Sequence, residues 1–287
     1  MPPKTLHFDD RQHMKNNTFE VFRYKDDYPK EVTLHHHDFY EIYFFLSGNV
    51  QYNIESRSYL LTPGDVLLIS PMELHQPMFG EAHRTYERIV IWINKQFLEG
   101  FSLPGQEFTK CFDTNVPGHT NLLRPEGVTR QYLTFILEQL LSELASEDSY
   151  REIASMTYLA QTLVTLNRLA AKNRQGSLEP ISDSAVYSVL GYINEHYSED
   201  LSLDHLANRF FVSKYHLSRM FHQQTGASIF TYLNTKRMVL AEELIANGEN
   251  ATAVALKLGF RDYSTFYRAY RKQMGVSPVR KLSEASK

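Results

Sequence analysis

Four polar side chains near the C-terminus share one helical face: Tyr215, Ser218, Arg219 and His222, at i, i+3, i+4 and i+7. A phenol, a hydroxyl, a guanidinium and an imidazole aligned in this way can read base edges and hold phosphates. Leu217, Met220, Phe221 and Gln224 fall on the other side of the same stretch, which Ser213 can cap and Gly226 can stop. The pattern returns 49 residues later, with Leu217 over Phe266, Arg219 over Arg268, Phe221 over Tyr270, Gly226 over Gly275 and Ser228 over Ser277. In this second copy Tyr263, Ser264, Tyr267, Arg268 and Arg271 lie outward, and Phe266, Tyr270 and Met274 inward. Lys214, Arg261, Arg271, Lys272 and Lys236 are of the type that grips phosphate, although each also reads as a solvated surface charge.

A second constellation lies near the N-terminus: His35-x-His37-x3-Glu41-x6-Gly48, then Pro63-Gly64-Asp65 and His75. His35 and His37 are two apart, so on a strand they share a side, and His36 points the other way. Three imidazoles and a carboxylate leave three readings open. They can hydrogen-bond a small polar ligand in a metal-free pocket, hold a divalent transition metal, or form a structural cluster. Tyr43, Tyr86 and Arg23 are further candidates for the same pocket. No nucleophile–base arrangement accompanies them, so no catalytic residue, metal or cofactor is assigned.

Distinct elements must position the two sets. Thr18–Tyr24, Val32–Leu46, Val50–Ile54, Ser58–Leu61, Val66–Ser70 and Ile89–Ile93 read as short strands, with turns at Glu55–Arg57 and Pro63–Asp65. Strands so broken by Gly and Pro predict a sandwich or barrel. After Gly127, Leu133, Ile136, Leu137, Leu140, Leu141 and Leu144 form a helical stripe. A second helix to about Ala171 carries Met156, Leu159, Leu163, Leu166 and Ala170 at 3-4-3-4 spacing. These helices either pack on the barrel or offer a homodimer contact. Lys172–Asp183 reads as a linker. Beyond it, Ala185–Tyr197, a short helix capped by Ser202, the Ser213 helix and Ser228–Ala246 precede the repeat. Val254-Ala255 repeats Leu206-Ala207, and Asp262 caps the last helix. A short helix, a turn and a second helix with a polar outer face describe a helix-turn-helix.

Composition agrees. The 287 residues suffice for two domains, and 43% hydrophobic content supports packed cores. One cysteine, Cys111, excludes an intrachain disulfide framework and suits a reducing cytoplasm. The N-terminus lacks the apolar region of a signal peptide, and no apolar run is long enough to suggest a membrane span. The net charge is −3, yet from Ser184 onward 13 Lys/Arg face 9 Asp/Glu. A basic C-terminal part on an acidic N-terminal one hints at nucleic acid.

The duplicated unit resembles the DNA-binding domain of the AraC/XylS family of bacterial regulators, most specifically in Gly259-Phe260-x-Asp262-x-Ser264-x-Phe266-x-Arg268 followed by Gly275-x-Ser277-Pro278. The family's aromatic-Arg pair after that proline region is replaced here by Lys281-Leu282. The N-terminal constellation resembles the two motifs of the cupin barrel, with Phe79 where the second motif has Asn. The resemblance implies an α+β multidomain fold: a cupin-like β-barrel with a helical hairpin at 1–172, a linker at 173–183 and an all-α domain with two helix-turn-helix motifs at 184–287. It implies a cytoplasmic, homodimeric regulator that binds promoter DNA, responds to a small effector such as a sugar, and works as an activator with RNA polymerase as a further partner. Tyr215, Ser218 and Arg219 would enter one major groove and Tyr263, Ser264, Tyr267 and Arg268 the next, with Lys214, His222 and Arg271 beside them. His35, His37, Glu41, His75, Tyr43, Tyr86 and Arg23 would face the effector. The alternative is a metal-dependent cupin enzyme, an isomerase or dioxygenase, with an accessory DNA-binding domain.

Overall fold

A computed structural model describes residues 13–27, 32–80, 85–173 and 185–278. The linker expected at 173–183 and the Lys281-Leu282 pair fall outside these, apart from Asn173. Two antiparallel sheets face each other. One has the order β1 (Phe19–Asp26), β7 (Tyr86–Ile93), β2 (Tyr40–Ser47), β5 (Val66–Ile69) and β8 (Leu122–Leu123). The other is β4 (Arg57–Leu60), β3 (Val50–Ile54) and β6 (His75–Phe79).

The pleat explains the apolar runs. Along β2, Ile42 and Phe44 face one way and Tyr43 and Phe45 the other; along β7, Ile89, Ile91 and Ile93 oppose Val90 and Trp92. The larger sheet is therefore buried on both faces, one against the smaller sheet and the other against helices. Those helices are α1 (Lys95–Phe101), α2 (Gly127–Ala145) and α3 (Arg151–Asn173). Leu133, Ile136, Leu137, Leu140 and Leu141 of α2 are buried together with Leu159, Leu163, Leu166 and Ala170 of α3. The α3 seam is thus spent inside the chain. Leu144, expected in the buried stripe, is exposed, as are Val128, Tyr132 and Phe135 on the outer side of α2.

One strand expectation changes, and one strand was not anticipated. Residues 32–39 are not a strand; β2 begins at Tyr40, and His35 makes one isolated bridge with His75. The chain turns after that bridge: Met72 N donates to the His37 carbonyl, and the His37 ring bonds the Phe39 carbonyl. Strand β6 carries Pro77, which argues against a strand by sequence; it is tolerated because β6 lies at a sheet edge.

The rest is helical: α4 (Ala185–His196), α5 (Leu203–Arg209), α6 (Lys214–Thr225), α7 (Ile229–Ala246), α8 (Ala251–Lys257) and α9 (Tyr263–Met274). Ser202, Ser213, Ser228, Asn250 and Asp262 cap α5 to α9 through side-chain oxygens. Gly226 and Gly275 end α6 and α9 in the left-handed region. One core gathers α4 to α7 around Leu217, Phe221 and Tyr232; a second gathers α7 to α9 around Phe266 and Tyr270. The repeat is therefore two helix-turn-helix units sharing α7.

The two turns solve one problem with different residues. Phe211 after α5 and Gly259 after α8 both adopt positive φ, 54° and 81°. In each, the next amide donates back to the short helix, Val212 to Ala207 and Phe260 to Ala255. Gly259 is obligatory, because a Cβ there would collide with the Ser198 carbonyl oxygen. Phe211 is 96% exposed and gains no packing for its strained backbone. A left-handed non-glycine residue costs roughly 1–2 kcal/mol, against 0.5–1 kcal/mol of extra chain entropy for glycine. Phe211→Gly is therefore expected to stabilise the chain by up to about 1 kcal/mol, read as a higher urea midpoint at unchanged slope.

Candidate functional site

The two sheets enclose a small cavity of about 50 Å³ with an open mouth. That volume holds a few water-sized groups. Its wall is aromatic and charged: Tyr24, Tyr43, Tyr52, Tyr86 and Trp92 surround Arg88, Asp26, Glu41 and His35. Arg88 is 3% exposed, ion-paired with Asp26, and lies 4.1 Å from the Tyr86 ring centre and 4.8 Å from that of Tyr24. Such a buried cation is tolerated because its carboxylate and two ring faces replace water. The Tyr43 and Tyr86 hydroxyls bond each other, and burial holds the Tyr43 phenol well above its ordinary range. Glu41 accepts from Trp92 Nε1 at 2.8 Å.

Beside the cavity stand the three histidines. The His37 and His75 ring centres are 4.8 Å apart, and those of His35 and His75 are 4.2 Å apart. Burial pushes His35 down to about 4 and His75 well below the usual imidazole range. His36 turns away, its Nε2 3.5 Å from Glu242 of α7.

The structure thus brings His35, His37, Glu41, His75, Tyr43 and Tyr86 together. It does not bring Arg23, which sits on the opposite face of β1 between Phe22 and Tyr24. There it bonds Glu87 at 2.8–2.9 Å and Glu138 of α2 at 2.8 Å, outside the cavity. Sequence reasoning missed Tyr24, Asp26, Arg88 and Trp92. The signal was period-two alternation in β7, where Tyr86, Arg88, Val90 and Trp92 share one face.

On the helical half, Lys214, Tyr215, Ser218, Arg219 and His222 of α6 are all exposed, Tyr215 at 78%. Ser264, Arg268 and Arg271 of α9 are exposed as well. Tyr263 and Tyr267 are half-buried; the Tyr263 ring packs in tilted contact with Phe266 at 5.9 Å and with Tyr267 at 6.1 Å between centres. Lys214 pairs with Asp204 at 2.6 Å on the surface, and Arg261 with Asp200 at 3.4 Å. Lys236 is not a phosphate group in waiting. It is 15% exposed and bonded at 2.7 Å to Glu55, at the β3–β4 turn.

That contact belongs to a continuous interface. The smaller sheet has one face on the cavity, through Tyr52, Pro77 and Phe79. Its other face lies on the helical half. Gln51 reaches the Tyr187 hydroxyl at 3.3 Å, Asn53 donates to the Gln224 carbonyl of α6 at 2.7 Å, and Leu74 is buried among α4 and α7 side chains. A single strand layer separates the cavity from the first helix-turn-helix.

An aromatic and charged pocket between two sheets, joined through one wall to paired helix-turn-helix units, defines a pocket-bearing module built onto a DNA-reading module. The AraC-like ligand binding domain model matches residues 18–163, and a helix-turn-helix domain model matches residues 206–282. The chain belongs to the AraC family of ligand-responsive, DNA-binding transcription regulators. It is 26% identical over 230 residues to the arabinose operon regulatory protein of Escherichia coli strain K12, covering 78% of this chain and 73% of that one. It is 26% identical over 261 residues to the transcriptional activator RhaS of Escherichia coli O81, covering 88% and 86%. Among solved structures it is similar to the C-terminal domain of AraT, a response regulator from Geobacillus stearothermophilus. The identity there is 33% over 36% of this chain and 86% of that one, with a TM-score of 0.35. No helix among the described residues is long and apolar enough to cross a membrane.

Proposed function

We propose that this chain senses a sugar or sugar derivative in the barrel cavity and transmits its presence to two DNA-reading helices, acting in the cytoplasm as a non-enzymatic regulator. The observation that carries the reading is the shared wall, with the cavity on one face of β3 and β6 and with α6 and α7 on the other. Aromatic rings suit the apolar faces of a sugar, and Arg88, Glu41, Asp26 and His35 offer fixed donors and acceptors for its hydroxyls. The relatives named for the arabinose operon and for RhaS are regulators, which supports control of transcription over catalysis. A ligand that fits the cavity better in one arrangement of the wall shifts the population of arrangements, and with it the placement of α6 relative to α9. Tyr215, Ser218 and Arg219 then read one major groove and Ser264, Tyr267 and Arg268 the next, while Lys214, His222, Tyr263 and Arg271 steady the backbone or the helix. The exposed Val128, Tyr132 and Phe135 of α2 are offered to a second copy of the chain, and RNA polymerase is the partner on DNA.

The test is the melting of the full chain against neutral sugars, sugar acids and sugar phosphates. One class should stabilise the chain by about 2.7 kcal/mol at a hundred times its Kd. Trp92→Leu, which removes a ring and the Glu41 donor, should abolish the response. If no member of the panel stabilises the chain, the sugar reading is wrong.

A further inference from the structure

A second and wider opening lies where the C-terminal end of α7 meets the barrel. Segments flanking β2, β5 and β7 form one wall and the last turn of α7 the other, around a cleft of about 860 Å³. That volume suits a small organic molecule. Two buried rings lie at its bottom, Tyr40 and Phe112, with centres 4.7 Å apart. Tyr40 is 9% exposed and borders the cleft, yet its hydroxyl has no hydrogen-bond partner among the described residues. A buried phenol ordinarily finds one. Burial, followed by the charge of Glu99, raises this phenol to about 12, so it stays a neutral O–H.

The rim is acidic. Glu107 and Lys110 cancel in a 2.6 Å ion pair, which leaves Asp38 and Asp113 on the barrel wall and Glu242 and Glu243 on α7, against Lys95 alone. Glu242 faces His36 at 3.5 Å, and Asp113 accepts from the Asn115 amide at 3.0 Å. Asp38 and Glu243 are exposed and make no ion pair among the described residues. These carboxylates do not form a metal cage, because no three of them among the described residues stand close enough to share one ion. They occupy opposite walls, so a compensating ligand must be extended and positively charged at more than one point.

We propose that this cleft binds an aliphatic diamine or polyamine, with one ammonium on the Asp38 and Asp113 wall, another on the Glu242 and Glu243 wall, and the methylene chain over Tyr40 and Phe112. An ammonium has donors and no acceptor, so the carboxylates and the Tyr40 hydroxyl oxygen meet it, and the ring faces attract it. The same rim repels anions. The ligand ties α7 to the barrel roughly 9 Å along the helix axis from Lys236, where the bond to Glu55 is already one tie. A second tie biases the direction of α7, and with it the two helix-turn-helix units that share this helix. The site is separate from the barrel cavity and does not depend on the sugar reading.

The test is calorimetric titration of the purified full chain, without DNA, by 1,4-diaminobutane and spermidine, with butylamine and Mg²⁺ at matched ionic strength as comparisons. Wild type should bind one diamine or polyamine per chain, saturably, and roughly tenfold or more tightly than butylamine. Asp113→Asn, which keeps the acceptor for the Asn115 amide, and Glu243→Gln should each weaken binding by roughly three- to tenfold. Both side chains are exposed, so both variants should fold. Tyr40→Phe should weaken binding about threefold without lowering the melting midpoint of the free chain, since no bond within the chain is lost. Glu147→Gln, an exposed acid between α2 and α3, should leave binding unchanged. No saturable binding by folded wild type, Mg²⁺ or butylamine binding as tightly as the diamine, or binding that survives Asp113→Asn combined with Glu243→Gln overturns the proposal. A sugar response in a chain that ignores diamines would leave the barrel reading standing.

Discussion

Arg219→Ala and Arg268→Ala are each expected to weaken binding to the cognate promoter by roughly tenfold to a hundredfold and to relax preference at a single base position. A bidentate guanidinium on guanine contributes about 1–3 kcal/mol of discrimination. Both arginines are exposed, neither is in an ion pair within the described residues, and their strongest neighbours are weak. Arg219 lies 6.0 Å from the Tyr215 ring centre, and Arg268 is 3.4 Å from the Thr265 hydroxyl. Little is therefore lost from the free protein when either is truncated. The two positions should be lost at different bases, about one helical turn apart, because two helices on one face of a duplex meet successive major grooves roughly 34 Å apart. Arg271→Ala, at the last turn of α9, should instead weaken all sequences alike and lower the salt slope by about 1. Quantitative footprinting on single-base operator variants separates these outcomes. If Arg219→Ala and Arg268→Ala bind every operator variant as wild type does, the reading helices are wrongly assigned.

How much was legible beforehand differs between the two halves. The twin helices were readable almost to the residue, because helical periodicity, caps and a fixed offset are local properties. Ser213 and Asp262 cap where expected, and Leu217, Phe221, Phe266 and Tyr270 are buried where expected. The barrel was readable as strands but not as a cavity. Which face of a strand looks inward depends on the partner sheet, which short apolar runs do not reveal. Arg23 was therefore placed on the wrong face and Arg88 overlooked, although they are chemically alike. His35 and His37 were correctly joined to Glu41 and His75, yet for an incomplete reason, since an isolated bridge and a turn bring them there and not one long strand. Lys236 shows the same limit from the other side. Its charge is a local fact, but its partner Glu55 lies 181 positions away in sequence.

That distant partner carries the second large expectation. Glu55 sits at the β3–β4 turn with positive φ, 49°, and its carboxylate gathers three donors: Lys236 Nζ at 2.7 Å, Leu74 N at 2.9 Å and the Tyr232 hydroxyl at 3.3 Å. Two donors belong to α7, the helix shared by both helix-turn-helix units, and the third precedes β6 in the cavity wall. Removing one member of a fully buried pair costs about 3–5 kcal/mol, because the other charge is left without compensation. Glu55 and Lys236 keep about 15% exposure each, so Glu55→Ala is expected to cost somewhat less, roughly 2–3 kcal/mol. The loss should fall on the junction and not on either core: calorimetry of the full chain should show the helical half melting separately from the barrel. Glu55→Gln combined with Lys236→Met should cost less than the sum of the two single changes, since the double variant buries no lone charge. Strictly additive costs would show that the pair carries no coupling. A ligand that stabilises the barrel should also lose its influence on promoter affinity in Glu55→Ala. The wall would still move, but the strongest contact that pulls α7 with it would be gone.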